Sequence, residues 1–132
     1  MKAFQAKRLL KLADFLETIP RKQFDMSTWE EKDEKCGTVC CAAGWAGHMP
    51  AFRKAGFKTE REQVFCKRVK EDYFYSFEPF TSGEACEQFF GNYRDLFDPI
   101  YYMDNNIPYK TPKQVAKHIR SFVKKDFPNL VS

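Results

Sequence analysis

The chain has 132 residues, a length typical of one domain that buries roughly two thirds of its unfolded surface. Hydrophobic residues make up 43% of it and aromatic residues 17%, which excludes an intrinsically disordered chain. The formal charge of +4 is distributed unevenly along the chain. Residues 51–70 carry seven basic and two acidic side chains, whereas residues 71–106 carry one basic and eight acidic side chains. Residues 107–132 carry six basic side chains and one acidic side chain. Such blocks either neutralise one another or form a basic face that meets an acidic partner. We expect residues 1–132 to form a single domain.

The sequence predicts neither export nor membrane insertion. Residues 1–20 contain six charged side chains, too many for a secretory leader. The longest stretch without acidic or basic residues, 36–52, is shorter than the roughly 20 apolar residues of a membrane span and contains His48 and Pro50. The five cysteines are odd in number and lack the regular spacing of a disulfide framework. We therefore expect a cytoplasmic protein with reduced thiols and no membrane partner. The alternative is a disulfide bridge that forms transiently.

Helical patterns begin and end the chain. An amphipathic first helix stopped by Pro20 is predicted by apolar side chains at helical spacing. These are Leu9, Leu12, Ala13, Leu16 and Ile19. Near the other end of the chain, Thr111 is a typical N-cap residue and Pro112 occupies the first helical position. Gln114 completes a capping box with Thr111. They predict a last helix, and its expected buried stripe consists of Val115, Ile119, Phe122 and Val123.

The middle of the chain predicts several shorter elements. Thr38 is expected to cap a central helix running from Val39 towards Met49, whose glycines indicate close approach of a neighbouring segment. Further short helices are expected over residues 50–55, closed by Gly56, and after Thr81, where Glu84 completes a capping box and Gly91 ends the helix.

Two further segments have less regular sequence patterns. A short helix is expected at residues 93–97, followed by a loop at residues 100–109. Residues 63–77 are rich in β-branched and aromatic side chains and favour a small β-hairpin. The predicted fold class is thus mostly α, a compact bundle of four or five short helices with this hairpin.

One segment resembles a known group. The segment is Cys36-Gly37-Thr38-Val39-Cys40-Cys41-Ala42-Ala43-Gly44-Trp45, and it is followed downstream by Phe89-Phe90-Gly91, Leu96-Phe97 and Thr111-Pro112. With these residues the chain resembles small uncharacterised bacteriophage and prophage proteins that carry a Cys-Gly-Thr-x-x-Cys-Ala-x-Gly segment. Cys36 and Cys41 lie at the group's two cysteine positions, whereas Cys40 replaces a residue that is usually small. The resemblance implies a phage origin and brings no established activity or cofactor.

The cysteines and histidines suggest two kinds of chemistry. Zinc sites commonly use a Cys-x-x-Cys knuckle, which this chain lacks; if zinc were bound, Cys36 and Cys41 would be ligands with Cys66 or Cys86. On a continuous helix, Cys41 and His48 would lie about 10 Å apart, too far to share a metal.

Thiol catalysis is the second kind of chemistry. Cys36 and Cys40 lie near the predicted helix start, where a helix dipole favours thiolate, but the available bases are only His48 and His118. We expect buried, structural cysteines and no cofactor, and keep Cys36 and Cys41 as the candidate functional thiols. The carboxylates Asp95, Asp98 and Asp104 fit no metal-binding spacing and are expected to cap or solvate loops.

A basic, tyrosine-rich surface is the other candidate site. The last helix carries cations at helical spacing, and tyrosines that could stack on bases precede it. The residues are Tyr101, Tyr102, Tyr109, Lys113, Lys117, Arg120, Lys124 and Lys125. No helix-turn-helix signature accompanies them. We expect a non-enzymatic, phage-encoded interaction protein that binds and modulates a bacterial host protein; a small nucleic-acid-binding protein and a thiol- or metal-dependent enzyme are the alternatives.

Overall fold

Five α-helices and two small antiparallel sheets make up the computed structural model, which describes residues 1–67, 78–99 and 111–131. The helices are α1 (Ala3–Leu16), α2 (Ala42–Ala46), α3 (Pro50–Lys54), α4 (Ser82–Phe90) and α5 (Pro112–Asp126). Short 3₁₀ turns occupy Arg21–Gln23 and Pro128–Leu130. Every helix in these ranges is too short or too polar to cross a lipid bilayer.

The strands form a two-stranded and a three-stranded sheet. The first pairs β1 (Glu31–Asp33) with β2 (Gly37–Val39), and the second has the order β3 (Phe57–Glu60), β4 (Gln63–Cys66) and β5 (Phe80–Thr81). The prediction of a mostly α bundle was therefore wrong, because the described chain is an α+β fold. Alternate burial along β3 and β4, with Phe57, Thr59, Val64 and Cys66 inside, is the period of a half-buried sheet.

The central helix predicted from Val39 to Met49 was also wrong. Val39 belongs to β2, α2 has only five residues, and its N-cap is Cys41 rather than Thr38. The Cys41 Sγ accepts a hydrogen bond from the Gly44 backbone N–H at 3.4 Å. Gly37 has φ +78°, a left-handed conformation that glycine adopts without steric cost and that starts β2 as a strand.

The predicted close approach at the glycines of this segment is confirmed. A Cβ on Gly44 would overlap the carbonyl oxygen of Trp29, and one on Gly47 would overlap the side chain of Thr59. Thr59 Oγ1 also donates a hydrogen bond to the Gly44 carbonyl at 2.7 Å. The small residues therefore let α2 lie directly against β3 and against the segment before β1.

The hairpin lies upstream of its predicted place. Strands β3 and β4 pair with Glu60 opposite Gln63, so Arg61 and Glu62 form the connecting turn. Both turn residues have positive φ, 51° and 64°, which is unusual without glycine or asparagine. The prediction of a hairpin within residues 63–77 was correct only for β4; residues 68–77 lie outside the described part of the chain.

Predicted helix boundaries were accurate where capping signals were strong. Thr111 and Gln114 form the predicted capping box, with hydrogen bonds of 3.1 and 2.9 Å. α3 ends before Gly56 at φ +101°, and α4 ends at Gly91 at φ +78°. The side chain of Thr81, in contrast, makes no capping hydrogen bond.

Smaller corrections apply at two other places. α1 ends at Leu16, so Ile19 lies beyond the helix, where it is partly buried. The helix expected at residues 93–97 is instead a hydrogen-bonded turn in which the Phe97 N–H donates to the Tyr93 carbonyl at 2.8 Å. The predicted loop at residues 100–109 lies outside the described residues.

The core joins the two terminal helices to a cluster of phenylalanines. α1 packs mainly against α5, with Leu9, Leu12 and Leu16 fully buried. Next to them, aromatic rings from α3, β3, α4 and the following turn meet at centroid distances of 4.9–5.6 Å. They belong to Phe52, Phe57, Phe89, Phe90 and Phe97. Edge-on contacts of this kind add to the hydrophobic stabilisation of the core.

Candidate functional site

The two candidate thiols occupy different structural positions. Cys36 follows the turn after β1 and is half-buried, and its carbonyl accepts a hydrogen bond from Gln23 Nε2 at 3.0 Å. Cys41 is buried at the N-terminus of α2. All five cysteines are free thiols. Among the described residues, Cys36 and Cys41 do not share a cluster of potential metal ligands.

A different group of side chains comes together beside β1 and β2. The donor atoms of Glu30, Cys40 and His48 all lie within 4.8 Å of one another, a group that we call the Glu30 cluster. Glu30 Oε2 and His48 Nε2 are 2.7 Å apart. Glu30 and Cys40 are buried, whereas the His48 side chain is 29% exposed. The cluster thus touches solvent through its imidazole.

Sheet register explains why Glu30 meets Cys40. In the β1–β2 pair, Glu31 lies opposite Val39 and Asp33 opposite Gly37. One step further in the same register places Glu30 opposite Cys40, where facing side chains are about 5 Å apart. The backbone of Cys40 is fixed from its other side, because its N–H donates to the Gln23 carbonyl at 3.2 Å and its carbonyl accepts from the Asp25 N–H at 3.1 Å.

The early end of α2 places His48 in the same cluster. α2 stops at Ala46, so the chain turns at Gly47 instead of continuing as the predicted helix to Met49. The Trp45 ring lies 5.7 Å from the His48 ring, and its Nε1 donates to the Gln23 carbonyl at 2.8 Å. Because the helix is broken here, the separation expected along a continuous helix does not apply to His48.

The environment of Glu30 orients its carboxylate. Oε1 accepts a hydrogen bond from the Glu62 backbone N–H at 3.3 Å, and the Lys32 ammonium lies 3.9 Å from Oε2. The sequence does not distinguish Glu30, which begins a run of six charged residues, 30–35. Residues 31–35 are exposed, and only the hairpin register distinguishes Glu30 from them.

Burial makes the cysteines around the cluster poor nucleophiles. It raises the pKa of Cys40 to about 12, with smaller contributions from Cys41 and from the negative charge of Glu30. Burial also raises the pKa of Cys41 to about 11, although the N–H of Gly44 opposes the shift. The pKa values of Cys66 and Cys86 are likewise raised by burial. A thiol with such a pKa is almost entirely protonated at neutral pH.

The remaining groups considered for catalysis take structural positions. His118 Nε2 lies 3.0 Å from the Asp95 carbonyl oxygen. The Asn92 side chain accepts hydrogen bonds from the Asp95 and Leu96 N–H groups at 3.2 Å and donates to Asp95 Oδ2 at 3.1 Å. The Asn92 side chain thus caps the turn after α4, and the Asp95 carboxylate accepts one of its hydrogen bonds. Asp104 lies outside the described residues.

The predicted basic surface forms a straight row on α5. At 100° per residue, Lys113, Lys117, Arg120 and Lys124 fall within a stripe about 60° wide and about 16 Å long, which we call the cationic ridge. The three lysines are exposed, and none forms a salt bridge within the described part of the chain. Arg120 differs, because its Nη2 lies 2.7 Å from Asp14 and 2.9 Å from Glu17 of α1.

An open groove runs beside the cationic ridge. Its lining combines the ridge residues with Glu17, Ser121 and Val131. The hydrogen bond and charge of Arg120 lower the pKa of Glu17, so this carboxylate stays ionised next to the lysines. The tyrosines predicted to accompany the ridge, Tyr101, Tyr102 and Tyr109, lie outside the described residues.

Comparison with known proteins identifies no relative. No family model, curated protein or solved structure matches the chain. The resemblance to phage proteins stays a prediction.

Proposed function

We propose that the protein is a non-enzymatic interaction protein of phage origin that binds a bacterial host protein in the cytoplasm through its cationic ridge. The observation that carries this proposal is the row of three exposed lysines on α5 that form no salt bridge with another described residue. The cationic ridge and the groove beside it place positive charges at fixed spacing, where they can bind carboxylates of an acidic protein surface. The sequence resemblance supports the phage origin, and the raised pKa values of the buried thiols speak against cysteine catalysis.

An acidic protein fits the ridge better than nucleic acid does. The guanidinium best suited to bidentate phosphate binding, Arg120, is held by Asp14 and Glu17. These carboxylates would repel a phosphate backbone that approached the ridge. Val131 adds an apolar contact in the groove. The rim of a protein interface is polar and solvent-accessible, which agrees with the charged character of this surface.

Charge reversal tests the proposal. Tagged protein is incubated with nuclease-treated bacterial lysate, and captured proteins are identified by mass spectrometry. The ridge variant Lys113→Glu/Lys117→Glu/Lys124→Glu is compared with Lys22→Glu/Lys35→Glu/Lys54→Glu, which makes the same charge change at exposed lysines elsewhere. Circular dichroism confirms that both variants fold.

We expect a stoichiometric partner with the wild type and the control variant, lost with the ridge variant. The partner's affinity should fall with added salt, because exposed charges are screened beyond about 10 Å at 0.1 M ionic strength. A partner that the ridge variant still captures would refute binding through the ridge. Retention of nuclease-sensitive material alone would favour the nucleic-acid alternative instead.

A further inference from the structure

The Glu30 cluster brings together three different types of metal ligand. A carboxylate, a thiol and an imidazole come from the residue before β1, the residue after β2 and the turn after α2. Carboxylate, thiolate and imidazole are the three side-chain ligands that zinc uses in proteins. Magnesium and calcium, in contrast, prefer oxygen ligands alone.

The donors lie close to the spacing of a zinc site. They reach it if Glu30 and His48 separate slightly and the Cys40 Sγ, which lies within 4.8 Å of the other two atoms, approaches them by up to about 1.2 Å. In a tetrahedral zinc site, a nitrogen and an oxygen donor lie about 3.3 Å apart, and sulfur lies about 3.6 Å from either. Glu30 Oε2 and His48 Nε2 are 2.7 Å apart, so they would separate by about 0.6 Å as the metal replaces the shared proton. The partly exposed His48 side chain can make this movement without disturbing the core.

Neighbouring groups hold the ligands in place. The Glu62 N–H binds Glu30 Oε1, which leaves Oε2 directed at His48. Hydrogen bonds of this kind to ligating carboxylates orient them and strengthen metal binding. Lys32 is the nearby charge that opposes a cation, but its side chain is 67% exposed and can turn towards solvent.

Charge balance favours a divalent cation at the Glu30 cluster. Glu30 is buried, and burying a carboxylate is costly unless a positive charge compensates it. A divalent ion with one carboxylate and one thiolate forms a neutral unit inside the protein. His48, which is neutral as a ligand, adds no charge, and its exposed side leaves the fourth position for a water molecule.

We propose that Glu30, Cys40 and His48 bind a single zinc ion, with water as the fourth ligand. This site differs from the ligand set suggested by the sequence, because it uses Cys40 and excludes Cys36 and Cys41. It does not depend on the cationic ridge, so either proposal can fail without the other.

The test measures zinc and cobalt binding to full-length protein purified without chelators. Zinc content is measured by elemental analysis, and affinity by competition with a chromophoric chelator. Cobalt(II) serves as the optical probe, since a bound thiolate gives charge-transfer absorption and a tetrahedral site gives intense visible bands. The variants are Glu30→Gln, Cys40→Ser and His48→Gln, with Cys36→Ser as the matched control.

We expect one zinc per chain and a thiolate–cobalt band in the wild type and in Cys36→Ser. Loss of an outer-shell contact alone weakens metal binding about 10–100-fold, so loss of any ligand should weaken it about 100-fold or more. Zinc should raise the melting temperature of the wild type but not of His48→Gln. Because His48 is partly exposed, this variant is expected to fold even if Cys40→Ser does not.

Two results would overturn the proposal. One is a wild-type protein that binds less than stoichiometric zinc and gives no thiolate–cobalt band; Glu30 and His48 would then form only a hydrogen-bonded pair. The other is loss of the band in Cys36→Ser with retention in His48→Gln, which would return the site to the ligands suggested by the sequence.

Discussion

The Arg61–Glu62 turn offers a quantitative test of the backbone conformation. Both residues are left-handed, with φ of 51° and 64°, and this conformation costs a non-glycine residue about 1–2 kcal/mol. Glycine removes that cost at position 62 but loses about 0.5–1 kcal/mol more chain entropy on folding. Glu62→Gly should therefore stabilise the protein by about 0.5–1 kcal/mol. The N–H of residue 62 that binds Glu30 is retained.

Thermal unfolding measures the effect. With an unfolding entropy of about 2.1 cal/mol/K per residue, this gain corresponds to a rise of about 2–4 °C in the melting temperature. Glu62→Ala is the matched control, because it removes the same exposed side chain and keeps the strain of a Cβ at positive φ. If Glu62→Gly is no more stable than Glu62→Ala, position 62 does not have the left-handed conformation.

Three further predictions concern the core, the thiols and the helix pair. Phe90→Ala should lower the free energy of unfolding by about 3–5 kcal/mol in denaturant titrations, because it removes a fully buried ring from the aromatic cluster. Native protein at pH 8 should show one thiol that is alkylated rapidly, lost in Cys36→Ser, since a pKa of about 12 leaves only about 10⁻⁴ of Cys40 as thiolate. The Glu17 carboxylate has a lowered pKa in the fold, so its contribution to stability is present above about pH 4.3 and is lost as the pH falls further. Arg120→Met should accordingly lower the melting temperature more at pH 7 than at pH 3; an equal effect at both values would contradict the ion pair.

Sequence signals predicted those elements whose cause is local. The Thr111–Gln114 capping box, the glycine at the end of α4 and the apolar stripe of α1 each depend on residues within a few positions of one another. The β1–β2 pair could not be predicted in this way. Its strands have three residues each, and Glu31–Asp33 is a run of exposed charges without an apolar face.

The candidate metal site was missed for the same reason. Glu30 is distinguished from its charged neighbours only by its position opposite Cys40, which follows from strand pairing. His48 was separated from the cysteines by assuming a continuous helix, whereas close contacts of Gly44 and Gly47 with other segments accompany a helix of five residues. The cationic ridge, in contrast, depends on helical spacing alone and was predicted at each of its four positions.

The pairing of the first helix with the last affects how the chain is made. Arg120 and Asp14, which join α5 to α1, are separated by 106 positions. At about 5–20 residues per second, a ribosome needs roughly 5–20 s to pass from one to the other. During that time the leucines of α1 lack the helix that covers them in the finished protein. The apolar face of α1 can therefore be covered as in the native fold only after α5 has been synthesised.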